Sequence, residues 1–281
     1  MIYNKIFNSN WRNTDNDKTK INLSGVNETM LVPVYARALE SQKKKPAFYD
    51  ETAINIVNSL DYDFKKHGKS KLNMWGCSAR TIIFDREVSS YIKKHPNCSV
   101  INMACGLDAR FNRVYNGKIQ WYNIDFENVM NIRKTIFSKN NRVTNISGSV
   151  LENSWIEKVK NKDNVLVVAE DLLMYLEENE VKKLFETVSA SFKHCTLLCE
   201  IMSKWMVKNQ KIHDTIKKTT AVFRWGVDNT DDFIKLCPMY KMLGDFNLTD
   251  TMKKFSPIFL SLIAPKLRPK NNRIGYFEKI S

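Results

Sequence analysis

Asn164–Ala169 (NVLVVA) is a short, unbroken apolar run closed by Glu170-Asp171. A run of this length without alternation reads as a strand buried on both faces, and such strands belong to parallel sheets covered by helices. Four further runs share its character. Ser99–Ala104 (SVINMA) ends in Cys105-Gly106. Gln120–Phe126 (QWYNIDF), the weaker Arg142–Ile146, and Thr196–Ile201 (TLLCEI) complete the set. Between the fourth and fifth runs, Val181, Leu184, Phe185 and Val188 form an apolar helical stripe, and Glu178 precedes Lys182 by one turn. Strands alternating with helices predict right-handed βαβ units and an α/β domain with a mostly parallel sheet.

The flanks read differently. Asn27 to Leu72 is helical in pattern, with Ala53, Ile56, Val57 and Leu60 at helical spacing. Phe84, Val88, Tyr91 and Ile92 continue the pattern in a next helix, which His95-Pro96-Asn97 breaks. Ser203 to Phe223 reads as one helix, Lys241–Phe246 and Gly275–Ile280 as strands, and Asp250–Leu262 as a further helix. The expected organisation is an N-terminal arm and helical cap over residues 1–75 and an α/β domain over 76–281. A helical lid insertion is expected at about 203–236, all in one compact unit.

The chain carries 44 basic and 30 acidic residues, a formal net charge of +14. A basic balance invites a nucleic-acid reading. The basic residues are 33 Lys and only 11 Arg, scattered among 29 Asn, whereas phosphate and base readers lean on the Arg fork. No nucleic-acid partner is therefore expected. No apolar run reaches the roughly 18 residues of a membrane span, and the first 25 residues lack the apolar core of a signal peptide. Neither a membrane partner nor Sec export is expected. The six cysteines form no CxxC, and the four histidines do not fall at zinc-ligand spacing. They read as small buried hydrophobes in a reducing cytoplasm, with no metal site.

In an open α/β sheet, ligands bind beyond the carboxyl ends of the strands. The first strand ends in Ala104-Cys105-Gly106-Leu107-Asp108. Its single Gly106 lacks the GxGxxG pattern of a pyrophosphate site, but small residues allow a close ligand; an ordinary turn is the alternative. Asp125, 19 residues after Gly106, ends the second strand. It can accept both hydroxyl hydrogens of a ribose, or act as an N-cap. Ser147-Gly148-Ser149-Val150 follows the third strand and suits an adenine edge or a plain turn. Glu170-Asp171 follows the fourth; adjacent acids after a buried strand need a cleft or a cationic partner, with Glu170 the functional candidate and Asp171 the helix cap. Arg80, before the helix that leads to the first strand, can clamp a carboxylate bidentately, or lie solvated. Together these groups match a ligand with a ribose diol, cationic centres, a carboxylate and no phosphate: S-adenosylmethionine.

These residues sit in an ordered set that resembles the leucine carboxyl methyltransferase family, including its bacterial branch of tetracenomycin-type polyketide O-methyltransferases. The set runs from Gly25-Val26-Asn27-Glu28-Thr29 and Val34-Tyr35-Ala36-Arg37-Ala38-Leu39-Glu40-Ser41 through Leu60-Asp61-Tyr62-Asp63-Phe64, Arg80-Thr81 and Phe84-Asp85. It continues with Ala104 to Phe111, Trp121 to Phe126, Gly148-Ser149-Val150, Ala169 to Leu176 and Phe223-Arg224-Trp225-Gly226. The resemblance implies a class I methyltransferase: a Rossmann-like seven-stranded sheet with an antiparallel last strand and helical elements over the site. It implies S-adenosylmethionine binding by Arg80, Gly106, Asp125 with Phe126, Ser149-Val150 and Glu170. Two features depart from the family. Met103-Ala104-Cys105-Gly106 is poorer in glycine than usual, and Ser149 stands where the phosphatase-modifying members carry an Asp.

The expected activity is methyl transfer to an oxygen of a small, polyketide-like or carboxylate acceptor, by a monomer or homodimer. A carboxylate acceptor needs no base; a hydroxyl does, and Tyr175 and His213 are the candidates. The alternatives are methylation of a protein C-terminal carboxylate and a non-enzymatic nucleic-acid or partner-binding role. A nicotinamide-dependent oxidoreductase is disfavoured by the missing glycines.

Overall fold

The structure, a computed structural model, describes residues 19–20, 25–68, 70–213 and 221–280. Seven strands form one sheet: β1 Ser99–Met103, β2 Gln120–Asp125, β3 Val143–Ser147, β4 Asn164–Ala169, β5 His194–Ile201, β6 Tyr240–Asn247 and β7 Arg273–Lys279. Their spatial order is β3-β2-β1-β4-β5-β7-β6. β7 pairs antiparallel with both β5 and β6, so the last strand alone runs against the rest. The order reverses between β1 and β4, which pair in register from Ser99 with Val165 to Met103 with Ala169. That reversal is where a doubly wound sheet opens a crevice.

Alternation along each strand divides the core into two layers. On one face Ile101, Ile124, Val167 and Leu197 pack with Val181, Leu184, Phe185 and Val188 of helix α6 (Glu178–Ser191). On the other, Val100, Trp121, Leu166, Val168 and Leu198 pack with Ile83, Phe84, Val88 and Ile92 of α3 (Lys71–Lys94). Cys195 and Cys199 lie together in the first layer, and all six cysteines are buried and unpaired.

The cap is α1 (Leu31–Ser41) and α2 (Glu51–Ser59), joined to the sheet by Leu107 of the β1–α4 loop in a third apolar cluster. Two helices follow the strand ends at the site, α4 (Arg110–Val114) and α5 (Glu127–Ile136). Ser70 caps α3 by accepting from the Asn73 amide, and the helix ends at His95, as the His-Pro-Asn break predicts. α3 runs through position 75, so cap and sheet share a helix and the expected 75/76 boundary falls inside it.

Two expectations are corrected. Ser203–Phe223 is not one helix: it holds α7 (Lys204–Lys208) and a 3-10 turn at Gln210–Ile212, and residues 221–227 are irregular. Residues 214–220 of the expected lid lie outside the described residues, as do 1–18 and 21–24 of the arm. The helical period misleads here because the chain doubles back onto β5. The Gln210 side chain bonds the Phe223 amide at 2.9 Å and its carbonyl at 3.1 Å, and the Val227 amide donates to Met202 O at 2.9 Å. A Cβ at Gly226 would stand 2.6 Å from Met202 O, so only glycine permits this return. After α8 (Thr230–Leu236) and β6, the expected 250–262 helix is two, α9 (Leu248–Met252) and α10 (Pro257–Leu267). Pro257 opens the second, where a missing N–H costs nothing.

Candidate active site

The β1–β4 reversal opens into a cavity of about 360 Å³ roofed by Thr29, Met30, Pro33 and Arg37 at the start of the cap. That volume suits a small ligand or cofactor. Arg80, Gly106, Asp125, Phe126, Ser149, Val150 and Glu170 all line it, and so does Tyr175. His213 does not. It lies edge-on against Phe223 with ring centroids 5.1 Å apart.

The floor is the β1–α4 loop. Ala104 and Gly106 have φ of 48° and 46°. The only other non-glycine residue with positive φ among those described is Asp171, at 54°. Among the described residues, non-glycine backbone with positive φ occurs only at the tips of β1 and β4, which concentrates strain at the switch point. A Cβ on Gly106 would lie 3.1 Å from the Met30 Cβ, so the glycine also lets the cap approach. Arg133 of α5 fixes the loop, donating to the carbonyls of Gly106 at 2.7 Å and Asp108 at 3.0 Å.

Asp125 does two jobs. Its Oδ2 accepts the Gly106 amide at 2.8 Å and its Oδ1 accepts the Phe126 amide at 2.8 Å. Each oxygen keeps a second lone pair and the side chain lines the cavity, which is what a vicinal diol requires. Burial raises the carboxyl's pKa, against the lowering effect of those two amides and Arg133. Phe126 beside it is 59% exposed and lines the cavity together with Val129, Val150 and Leu151. This flat apolar slot can take an aromatic base. Ser149 Oγ accepts the Leu151 amide at 3.2 Å, which leaves its hydroxyl proton available.

The far end of the cavity is a buried ion network. Arg110, fully buried, reaches Asp85 at 2.7 Å, Asp108 at 2.8 Å and Glu170 at 2.6 Å. Arg113 bridges Asp85 and Asp50 at 2.6 Å each, and Arg37 reaches Asp50 at 2.9 Å. Arg80 holds Glu200 at 2.8 Å. Burial would raise Asp108, but Arg110 and Arg113 outweigh it and hold its pKa well below the usual carboxylate range. Glu170 is likewise lowered, burial being outweighed by Arg110 and Arg80. For Asp171 and Glu200 burial prevails, and both are raised despite Arg80. The carboxylates Asp50, Asp85, Asp108, Glu170, Asp171 and Glu200 meet the guanidiniums Arg37, Arg80, Arg110 and Arg113, with Arg133 also acting on Asp108, so among these groups acids outnumber cations six to five. Low-dielectric surroundings make such an excess of acid favour a cationic ligand.

Arg80 is not the free clamp that the sequence suggests. Its Nε lies 2.9 Å from Glu170 Oε1 but off the N–H axis, so the contact is Coulombic and the buried Nε has no hydrogen-bond acceptor. Its Nη2 has only Asp171 Oδ2, at 3.8 Å. With Glu170 beside Nε, the Nη2 end of the Nε–Nη2 edge is the part left to a ligand carboxylate. The sequence reading also missed Glu200, Arg110 and Asp108 as parts of the site. An acid inside the apolar strand TLLCEI was the available signal for Glu200, which is 1% exposed and also accepts the Asp171 amide at 3.0 Å. Asp108 and Arg110 stand in the sequence only within the ordered set that carries the family resemblance, which gave neither of them a role.

Tyr175 closes the apolar wall with Leu172 and Leu176. Its hydroxyl hydrogen-bonds Thr29, and burial, reinforced by Asp171, raises its pKa well above the ordinary phenol value. At neutral pH it is a hydrogen-bond donor and a poor base.

An S-adenosyl ligand therefore fits the donor set: diol acceptors on Asp125, a base slot at Phe126 and Val150, acid excess around Glu170, and the Arg80 edge. Relatives of known activity point to the same cofactor. The family model described as leucine carboxyl methyltransferase matches residues 30–189. The tetracenomycin polyketide synthesis O-methyltransferase TcmP of Streptomyces glaucescens is 26% identical over 232 residues, covering 82% of this chain and 86% of its own. The S-adenosyl-L-methionine-dependent methyltransferase dpfgK of Gibberella zeae is 23% identical over 238 residues, covering 76% and 79%. Among solved structures, a provisionally assigned methyltransferase of Thermobifida fusca superposes with a TM-score of 0.60 at 11% identity, covering 97% of this chain and 100% of that one. That match speaks to the fold alone.

Proposed function

The chain belongs to the leucine carboxyl methyltransferase family, and from that premise we propose that it transfers a methyl group to an oxygen of a small-molecule acceptor, a carboxylate or a polyketide-like phenol. It is an S-adenosylmethionine-dependent methyltransferase. The observation that carries the reading is the convergence of Arg80, Gly106, Asp125, Phe126, Ser149, Val150 and Glu170 on one cavity. When bound there, the cofactor supplies an electrophilic methyl on a sulfonium centre.

The chain's own residues then have these roles. Asp125 accepts the ribose hydroxyls, and Phe126 with Val150 and Leu151 covers the adenine. Ser149 offers a hydroxyl to its edge. Glu170, held by Arg110 and Arg80, keeps the cationic end in place, and the Arg80 edge receives the carboxylate. Holding donor and acceptor in line supplies much of the rate in a displacement of this kind. Leu172, Tyr175 and Leu176 offer the acceptor an apolar wall, with the Tyr175 hydroxyl as a donor to its oxygen. An acceptor already ionised at neutral pH suits a wall whose phenol stays protonated. We place the reaction in the cytoplasm, supported by six buried, unpaired cysteines.

The test is an acceptor screen with methyl-labelled cofactor, followed by mild alkali. Label released by alkali identifies a carboxylate ester; stable label identifies an ether. Folded protein that takes up neither S-adenosylmethionine nor S-adenosylhomocysteine in calorimetry refutes the proposal.

A further inference from the structure

Helix α10 carries the two most exposed large apolar side chains among the described residues, Ile258 at 81% and Leu262 at 76%. They stand one turn apart and share a face. Its core side is already satisfied, since Leu260 and Ala264 are buried. Phe259, half exposed, lies by the Trp75 ring with centroids 6.4 Å apart, and Leu72, one turn earlier on α3, is exposed too. The apolar side chains of two helices thus form one outward face.

The rim of that face is cationic. Residues 253–273 contain Lys253, Lys254, Lys266, Arg268, Lys270 and Arg273, and no Asp or Glu. Asp250 takes Lys253 and Arg268, and Asp245 takes Arg273. Lys254 and Lys266 have no ion pair among the described residues. Lys270 lies over the Trp205 ring at 4.5 Å. On the cap side Lys43 lies over the Phe255 ring at 5.3 Å, next to the exposed Lys44 and Lys45.

We propose that this face docks on an anionic lipid bilayer, with Ile258 and Leu262 entering the boundary between headgroups and acyl chains and the lysines meeting the headgroup charge. Charge complementarity selects this occupant. A two-fold pairing of the face with a second copy would set the same cationic rim against itself. Residues 1–24 carry Lys5, Arg12, Lys18 and Lys20 against Asp15 and Asp17, so they share its sign. A nucleic-acid backbone matches the charge but offers nothing to projecting aliphatic side chains. Docking of this kind needs no spanning helix, and among the described residues no helix is long and apolar enough to be one. The sequence expectation of no membrane partner rested on that absence and does not extend to a surface site.

The test is co-sedimentation of the full chain with vesicles of phosphatidylcholine alone and of phosphatidylcholine mixed with phosphatidylglycerol. Partition onto the anionic vesicles is expected, weakening with salt, with little onto the neutral ones. The double substitution Ile258→Ser with Leu262→Ser is expected to lower partition about tenfold or more, as is Lys254→Glu with Lys266→Glu. S-adenosylhomocysteine affinity is expected to stay at the parent value in both, which shows that they fold. No partition of the parent onto anionic vesicles, equal partition onto both kinds, or undiminished partition of the serine variant overturns the proposal. So does a dimer in sedimentation velocity that the serine variant dissociates.

Discussion

Replacing Asp125 by alanine removes the carboxylate on which the proposed ribose contact rests. Two hydrogen bonds to a charged acceptor, at about 1.5 kcal/mol each, make a loss of about 3 kcal/mol, or roughly a 150-fold weaker dissociation constant for S-adenosylhomocysteine. The same substitution strips acceptors from the Gly106 and Phe126 amides, which Asp125 holds at 2.8 Å each. Both lie at a partly wet site, so the empty protein should lose about 2 kcal/mol of stability. Those two effects are separated by a second ligand. Calorimetry with a ribose-deoxygenated analogue should show strong discrimination by the parent and almost none by Asp125→Ala, because the non-additive part reports the direct contact. The carboxylate must be ionised to accept twice, and burial has raised its pKa. Affinity should therefore be flat at neutral pH and fall on acidification, starting above the ordinary Asp range near 3.9. A variant that binds S-adenosylhomocysteine within twofold of the parent, or that still discriminates the analogue, refutes the assignment.

Arg110→Met should destabilise the protein by about 3–5 kcal/mol in urea unfolding, since it removes the fully buried cation that Asp85, Asp108 and Glu170 share and leaves them only their second contacts with Arg113 and Arg80. Asp108 has a depressed folded pKa, so its contribution is complete above the unfolded value and disappears only as pH falls through the folded one. The variant should accordingly unfold at higher pH than the parent in an acid titration followed by circular dichroism. Phe126→Ala should weaken S-adenosylhomocysteine binding by about 1 kcal/mol, roughly fivefold, while stability changes by less than about 0.5 kcal/mol because the ring is largely exposed. Tyr175→Phe should lower turnover less than about tenfold and leave the shape of the pH–rate profile unchanged; a lost ionisation limb would show that the phenol acts as a base. His213→Ala should keep turnover within a few-fold of the parent, and a collapse of activity would place that ring in the reaction.

The alternation of NVLVVA and its companion runs with helical stripes determined the sheet, because burial on two faces is written in composition over five or six residues. The tips of two of those strands were legible for the same reason: acids that end a buried run have few places to go, which singled out Asp125 and Glu170, whereas the Ser149-Val150 pair follows a half-exposed edge strand and came from the family resemblance. The Ser203–Phe223 segment was misread because its helical spacing yields to contacts from Gln210 and Met202 that lie outside any local window. The occupancy of Arg80 was likewise beyond the sequence. Its partner Glu200 is 120 residues away, and the fully buried Arg110 gathers Asp85, Asp108 and Glu170 from three separate elements. A local pattern fixes which residues are buried and at which strand end they emerge. Which charges meet there, and which of them remain free for a ligand, is decided only when distant segments close the network in space.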